Sequence, residues 1–170
     1  MRLFDDVAAF AGYLESAAFE PSIDGVTLIQ QYVEAPEPFI TRVEFVGREF
    51  LYAVRVDTSA GFELCPADVC QTPEIAEPTP RFEIIAGFDH PLLPAYRRFL
   101  DANAVDVAAF EFIVDRDGIA YTYDVNTNTN YNPEAEARAG LSGMAALAAL
   151  LGRELSALRQ GAGAASAAAE

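Results

Sequence analysis

Apolar and polar residues alternate along Val107–Asn126, the signature of an extended chain with one face in a core. Asp117-Gly118 lies between two β-rich runs and predicts a two-residue type I′ turn. That turn pairs Glu111 with Asp124 and leaves Asn126 two residues along the same face. The opposite face then carries Phe110, Phe112, Val114, Tyr121, Tyr123 and Val125, a ready core side. One extra loop residue would instead put the two acids on opposite faces. A second alternating stretch, Phe39 to Val46 and Glu49 to Val56, turns at Gly47-Arg48. A two-residue loop there pairs Arg42 with Ala53 and Arg55 with Ile40, so both arginines share a face. Val43, Phe45, Phe50, Tyr52, Val54 and Val56 take the other.

The flanking patterns predict helices and shorter strands. Asp5 to Ala18 has Val7, Phe10, Leu14 and Ala17 or Ala18 at helical spacing, and Pro21 ends it. Val26 to Val33 reads as a buried strand, followed by a loop punctuated by Pro36 and Pro38. Residues 57–80 form a long irregular excursion rich in proline and containing Cys65 and Cys70; long loops in compact domains are often functional. Arg81 to Ala86 predicts a short strand and Pro91 to Asn103 a helix. Asn132-Pro133-Glu134 opens a last helix with a capping side chain, a proline in the first turn and acids at the positive dipole end. Leu141, Met144, Ala148, Leu151, Leu155 and Leu158 line one face of that helix, which reads as core. The expected fold class is α+β, an antiparallel sheet of two main hairpins packed against helices. It forms a single domain over residues 1–159, with an Ala/Gly-rich frayed tail over 160–170.

Composition narrows the partners. The 170 residues are 52% hydrophobic, enough for a sizeable core in one domain. Net charge is −15, and all 11 basic residues are Arg. That balance argues against nucleic acid or an anionic membrane as partner, while leaving room for a local cationic pocket. No apolar run reaches the length of a membrane span, and the acidic start has no signal-peptide character, so a cytoplasmic location is the default expectation. There, Cys65 and Cys70 are expected as thiols. With the single His90 they would make at most a poor zinc site.

The two hairpins bring chemistry. Like charges directly opposed on a sheet destabilise it. A hard cation between Glu111 and Asp124 would remove that cost, since Mg²⁺ takes oxygen from one or two carboxylates plus substrate phosphates. The alternative is that both acids are simply solvated. Arg42 and Arg55 side by side would suit phosphate or carboxylate groups bidentately, or else a structural ion pair, for example to Glu44. A phosphate-binding or two-metal hydrolase built on Glu111 and Asp124 would want more acids or histidines nearby than His90 provides.

Taken in order, Ile29-Gln30-Gln31-Tyr32-Val33, Ile40-Thr41-Arg42, Arg55, Glu111 and Asp124-Val125-Asn126 resemble the C-terminal half of an ATP-grasp domain, in the branch that adds an amino acid to a carboxylate. The resemblance covers roughly residues 1–150. It implies that Gln31, Tyr32 and Val33 form the hinge that holds adenine, with Glu34 or Glu37 toward the ribose. It implies Mg²⁺ or Mn²⁺ on Glu111, Asp124 and Asn126, and ATP phosphate or an acyl-phosphate on Arg42 and Arg55. The implied activity is ATP-dependent carbon–nitrogen ligation of a small carboxylate and an amine. A catalytically inactive remnant acting as a nucleotide- or partner-binding module is the alternative. The sequence departs from the family in having no Lys, in lacking the Gly-rich loop of the other subdomain, and in placing Asp124 where Glu is commoner. These departures suggest a fragment of a longer gene product, or a shortened protein with half a site; the expected protein partner is the missing N-terminal half or, in a homo-oligomer, a second copy of the chain.

Overall fold

The structure, a computed structural model, describes residues 2–59 and 81–167. Cys65, Cys70 and most of the proline-rich excursion lie outside the described residues. Strands β1 (Phe39–Val46), β2 (Glu49–Asp57), β3 (Phe82–Ile84), β4 (Val107–Val114) and β5 (Ala120–Asn126) form one antiparallel sheet in the order β3-β2-β1-β4-β5. Helices α1 (Val7–Leu14), α2 (Leu93–Asn103), α3 (Pro133–Ala139) and α4 (Gly143–Ala167) complete the expected α+β fold. The predicted strand at Val26 to Val33 does not form: Val26, Leu28, Ile29 and Tyr32 are exposed in irregular chain. These residues have the right composition for a strand but pair with no strand among the described residues, and apolar content alone does not supply one.

The first hairpin turns at Gly47-Arg48 as expected. Both residues have positive φ (64° and 65°), as a type I′ turn requires. Arg48 tolerates this while its backbone N–H donates to the Asp106 carbonyl at 3.0 Å and its Nε to the Asp106 carboxylate at 2.7 Å. The register then departs from the simple ladder. Phe45 pairs with Phe50 but Glu44 pairs with Tyr52, so Leu51 is an extra residue, a β-bulge. Beyond it Arg42 faces Val54 and Arg55 faces Thr41, and the two arginines lie on opposite faces. Tyr52, Val54 and Val56 likewise move onto the Arg42 face.

The second hairpin departs twice, and the departures cancel. Its loop is Arg116–Gly118, one residue longer than the predicted pair: Val114 pairs with Ala120, and Asp115 N–H donates to the Ile119 carbonyl at 3.0 Å. The Asp115 carboxylate shapes the loop by accepting from the backbone N–H of Asp117 (2.9 Å) and Ile119 (2.8 Å), and Gly118 takes φ 79°. A bulge at Tyr123 then restores the pairing of Glu111 with Asp124 and of Ala109 with Asn126. Tyr121 and Tyr123 consequently lie on the acid face, while Thr122 takes their expected place beside Phe112.

The main core lies between α2 and the apolar sheet face. Tyr96 and Leu100 of α2 pack on Val43, Phe45, Ala53, Ala108, Phe110 and Phe112. Tyr96 stacks on Phe110 with ring centroids 4.1 Å apart, and Phe45 meets Phe50, Tyr96 and Phe110 edge-on. A second cluster on the other face joins Ile40, Tyr52, Val54, Val56 and Ile113 with Val33 and Tyr131 packed against it. Helix α1 is capped by Asp6 but has no buried residue, so its apolar stripe stays off the sheet and its rings pack locally, Phe10 and Tyr13 on Phe4.

The single last helix expected from the sequence is two. Asn132 caps α3 through its side chain, which accepts from Ala135 N–H at 2.8 Å. Gly140 ends α3 in the left-handed conformation, and α4 sets off at 90° to it. The start of α4 approaches the loop after β5 so closely that a Cβ on Gly143 would lie 2.5 Å from the Tyr131 ring. The stripe read as core is exposed: Leu141, Met144, Leu151, Leu155 and Leu158 all face outward, while Leu150 packs beside Gly47. The helix continues through Ala167 into the segment expected to fray. Among the described residues no single helix is long and apolar enough to cross a membrane.

Candidate functional site

The β-ladder places Arg42 directly opposite Glu111, with Glu44 two residues along β1 on the same side. Glu111 in turn faces Asp124 on β5. Three adjacent strands thus converge on one patch of charge on the face away from α2. Glu44 is only 1% exposed and Glu111 5%. Burying carboxylates is costly unless they are paired and hydrogen-bonded. Arg42 meets most of that need: its Nε donates to Glu44 Oε1 at 2.7 Å, and its Nη1 stands 3.6 Å from Glu111 Oε1.

Two hydroxyls complete the network. Thr129, in the loop after β5, donates to the Glu44 carboxylate at 2.9 Å and accepts from Arg42 Nη2. The Tyr123 hydroxyl donates to Glu111 Oε2 at 2.9 Å, a contact that exists because the bulge turns this ring onto the acid face. Burial raises the pKa of Glu44, and Arg42 and Thr129 oppose the rise without cancelling it. Burial likewise raises that of Glu111, with hydrogen bonding from Tyr123 and the charge of Arg42 opposing and Asp124 adding to it. One guanidinium serves two buried carboxylates, so the fully ionised cluster keeps an excess negative charge, to which exposed Asp124 adds another.

The floor of the patch is fixed by a third buried acid. Glu136 of α3 accepts from the Tyr52 hydroxyl at 2.7 Å and from Gly143 N–H at 2.5 Å. Burial and the hydrogen bond to Glu136 push the Tyr52 phenol strongly up, so it stays a donor. This links the α3–α4 elbow to the sheet and seats Tyr131 over it. The Tyr131 hydroxyl is buried and has no hydrogen-bond partner among the described residues.

Among the residues singled out from the sequence, Arg42, Glu111, Asp124 and Asn126 share this face. Asn126 Oδ1 accepts from Asn128 N–H at 2.8 Å, shaping the loop that delivers Thr129. Arg55 is not part of the patch. It lies over the Phe39 ring at 4.2 Å and pairs with Glu37 at 3.3 Å on the other face. In the hinge segment Gln31 and Tyr32 are exposed, Val33 packs against the second cluster, and Glu34 pairs with Arg116 at 2.8 Å. A cavity of about 240 Å³ beside this segment is lined by Ala35, Pro36, Glu37, Phe39, Thr41, Phe112 and Val114. His90 lies between Phe88 and Phe112 and accepts from Leu92 N–H at 3.2 Å. Among the described residues no group of three or more His, Cys, Asp or Glu is arranged around a metal position. Glu44 was legible as a possible partner of Arg42 from its two-residue spacing. Thr129, Tyr123 and Glu136 carried no signal in the sequence, because each arrives from a loop, a bulge or a separate helix.

No family model and no curated protein matches the chain. Among solved structures it is similar to the ATP-grasp ligase PsnB complexed with a phosphomimetic variant of its minimal precursor, Mg and ADP. That match has 16% identity and TM-score 0.49, over 72% of this chain and 34% of that one. It is also similar to the macrocyclase MdnB from Microcystis aeruginosa MRC, at 15% identity and TM-score 0.41 over 88% of this chain and 45% of that one. A third is a Chryseobacterium gregarium RiPP-associated ATP-grasp ligase in complex with ADP and a leader and core peptide, at 16% identity and TM-score 0.38 over 58% and 27%. The chain spans about a third of the length of the PsnB chain.

Proposed function

We propose that this chain is the ATP- and Mg²⁺-binding portion of an ATP-grasp-type carboxylate–amine ligase. The observation that carries this is the direct pairing of Glu111 with Asp124 on neighbouring strands, with Asn126 on the same face and Arg42 3.6 Å from Glu111. The donor set is two carboxylates and an amide oxygen, the hard ligands that Mg²⁺ or Mn²⁺ takes alongside phosphate oxygens. Bound there, the ion would supply charge neutralisation for a transferring phosphoryl group. Arg42 supplies guanidinium donors for a phosphate or acyl-phosphate from the same side. Gln31, Tyr32, Val33 and Glu34 are the residues assigned to the adenine and ribose by their resemblance to the family hinge. The reaction implied is phosphorylation of a small carboxylate by ATP, then displacement of phosphate by an amine to form an amide-like bond. With Arg55 on the other face, anion binding falls to Arg42 alone.

A non-catalytic nucleotide- or partner-binding module is the second reading. It is favoured by the way Arg42, Glu44, Thr129 and Tyr123 satisfy one another, since such a cluster holds its charge without a ligand. Mn²⁺ relaxation titrations with ADP decide whether the cation site exists. The parent chain is expected to bind Mn²⁺–ADP, and Asp124→Asn to weaken binding about tenfold or more. Equal binding by both proteins would remove the cation site from this face.

A further inference from the structure

We propose that Arg42 is the internal counter-ion of the cation site: it holds Glu111 in the metal-free protein and must release it for a divalent ion to bind, while Glu44 and Thr129 keep the guanidinium in place. The inference rests on the proposed cation site. Its basis is the unequal geometry of the guanidinium fork. Nε lies 2.7 Å from Glu44, a full hydrogen bond, whereas Nη1 lies 3.6 Å from Glu111, an ion pair without one. Thr129 adds a contact to each member of the tight pair and none to Glu111. Glu111 has its own donor in Tyr123, so it does not depend on Arg42 for a hydrogen bond. The Arg42–Glu111 contact is therefore the weak link in the cluster.

The charges point the same way. Glu111 is flanked by one cation, Arg42, and one anion, Asp124, on the strands to either side. A divalent ion between Glu111 and Asp124 would be repelled by a guanidinium still paired to Glu111. Opening the weak link removes that repulsion and leaves Arg42 anchored on Glu44, with its Nη1 donors free for an anionic oxygen. Glu44 is then a positioning residue. It is 1% exposed and far too enclosed to take a ligand itself, and it sets where the guanidinium rests once Glu111 is given over to the cation.

The test is Mn²⁺ affinity of the full chain by relaxation titration, without nucleotide, for the parent and four variants. Arg42→Lys keeps the charge but replaces the fork with one ammonium, which cannot hold Glu44 and Glu111 together. It should bind Mn²⁺ about fivefold more tightly. Glu44→Gln and Thr129→Val loosen the anchor, let Arg42 settle on Glu111, and should each weaken binding. Thr129→Val changes no charge, so it still decides the matter if Glu44→Gln fails to fold. Asp124→Asn should abolish binding. If Asp124→Asn abolishes binding while Arg42→Lys and Thr129→Val match the parent, the counter-ion role is overturned and the cation site stands. If neither the parent nor Arg42→Lys binds Mn²⁺, the cation site itself is overturned, and the counter-ion role with it.

Discussion

The two faces of this sheet are built on different physics. Under α2, Val43, Phe45, Phe110 and Phe112 gain from area removed from water, and aromatic edges add orientation. On the other face Glu44, Glu111 and Glu136 are buried nearly as well and Arg42 is partly buried, but each gains only from particular partners at particular distances. The first face tolerates approximate fit; the second does not. A sheet can keep two buried carboxylates on one guanidinium because the opposite face supplies the stability that this arrangement withholds.

The sharpest way to break the comparison is to hollow the apolar face. Phe45→Ala removes a fully buried ring that touches three other aromatic rings. It should cost about 3–5 kcal/mol in denaturant unfolding and should take the charged face with it in one transition. Next comes the elbow: Gly143→Ala would press a methyl group against the Tyr131 ring and pull on the Gly143–Glu136 hydrogen bond, for about 1–3 kcal/mol. A loss this large from one methyl group on a surface helix would be absent if α4 were loosely attached.

The charged face should respond less to removal of one acid. In Glu111→Gln the amide oxygen still accepts from Tyr123, and the excess negative charge is gone. A melting temperature within a few degrees of the parent is expected, for a change of about 1 kcal/mol or less in a domain of this size. A drop like that of Phe45→Ala would make the Arg42–Glu111 contact a principal support of the fold. The smallest effect is in pH dependence. Glu44 and Glu111 titrate above their ordinary value of 4.5 in the folded protein, because burial disfavours their charged forms. Their contribution to stability is therefore full below pH 4.5 and is lost as pH rises through the higher folded values. Glu111→Gln should flatten the stability curve over that window. An unchanged slope would mean that Glu111 titrates as a solvated acid.

Local chemistry was enough to predict several pieces of this protein. The period-two patterns located β1, β2, β4 and β5; Gly47-Arg48 turned where two positive-φ residues were needed; Asn132-Pro133 capped α3. The α+β antiparallel architecture followed from these signals, as did the facing of Glu111 and Asp124. Glu111 and Asp124 face each other although the loop has three residues where two are predicted, since the extra residue at Arg116–Gly118 is cancelled by the bulge at Tyr123. The first hairpin shows the same sensitivity uncompensated: its turn was correct, yet the bulge at Leu51 separated Arg55 from Arg42. Tertiary structure also decided the break after Gly140, the exposure of the α4 stripe, and the arrival of Thr129 and Glu136 beside β1 and β2. The physical reason is common to these cases. Alternation and caps are set by neighbours in sequence, whereas a bulge swaps every side chain beyond it to the other face for a local cost that only packing on both faces can offset.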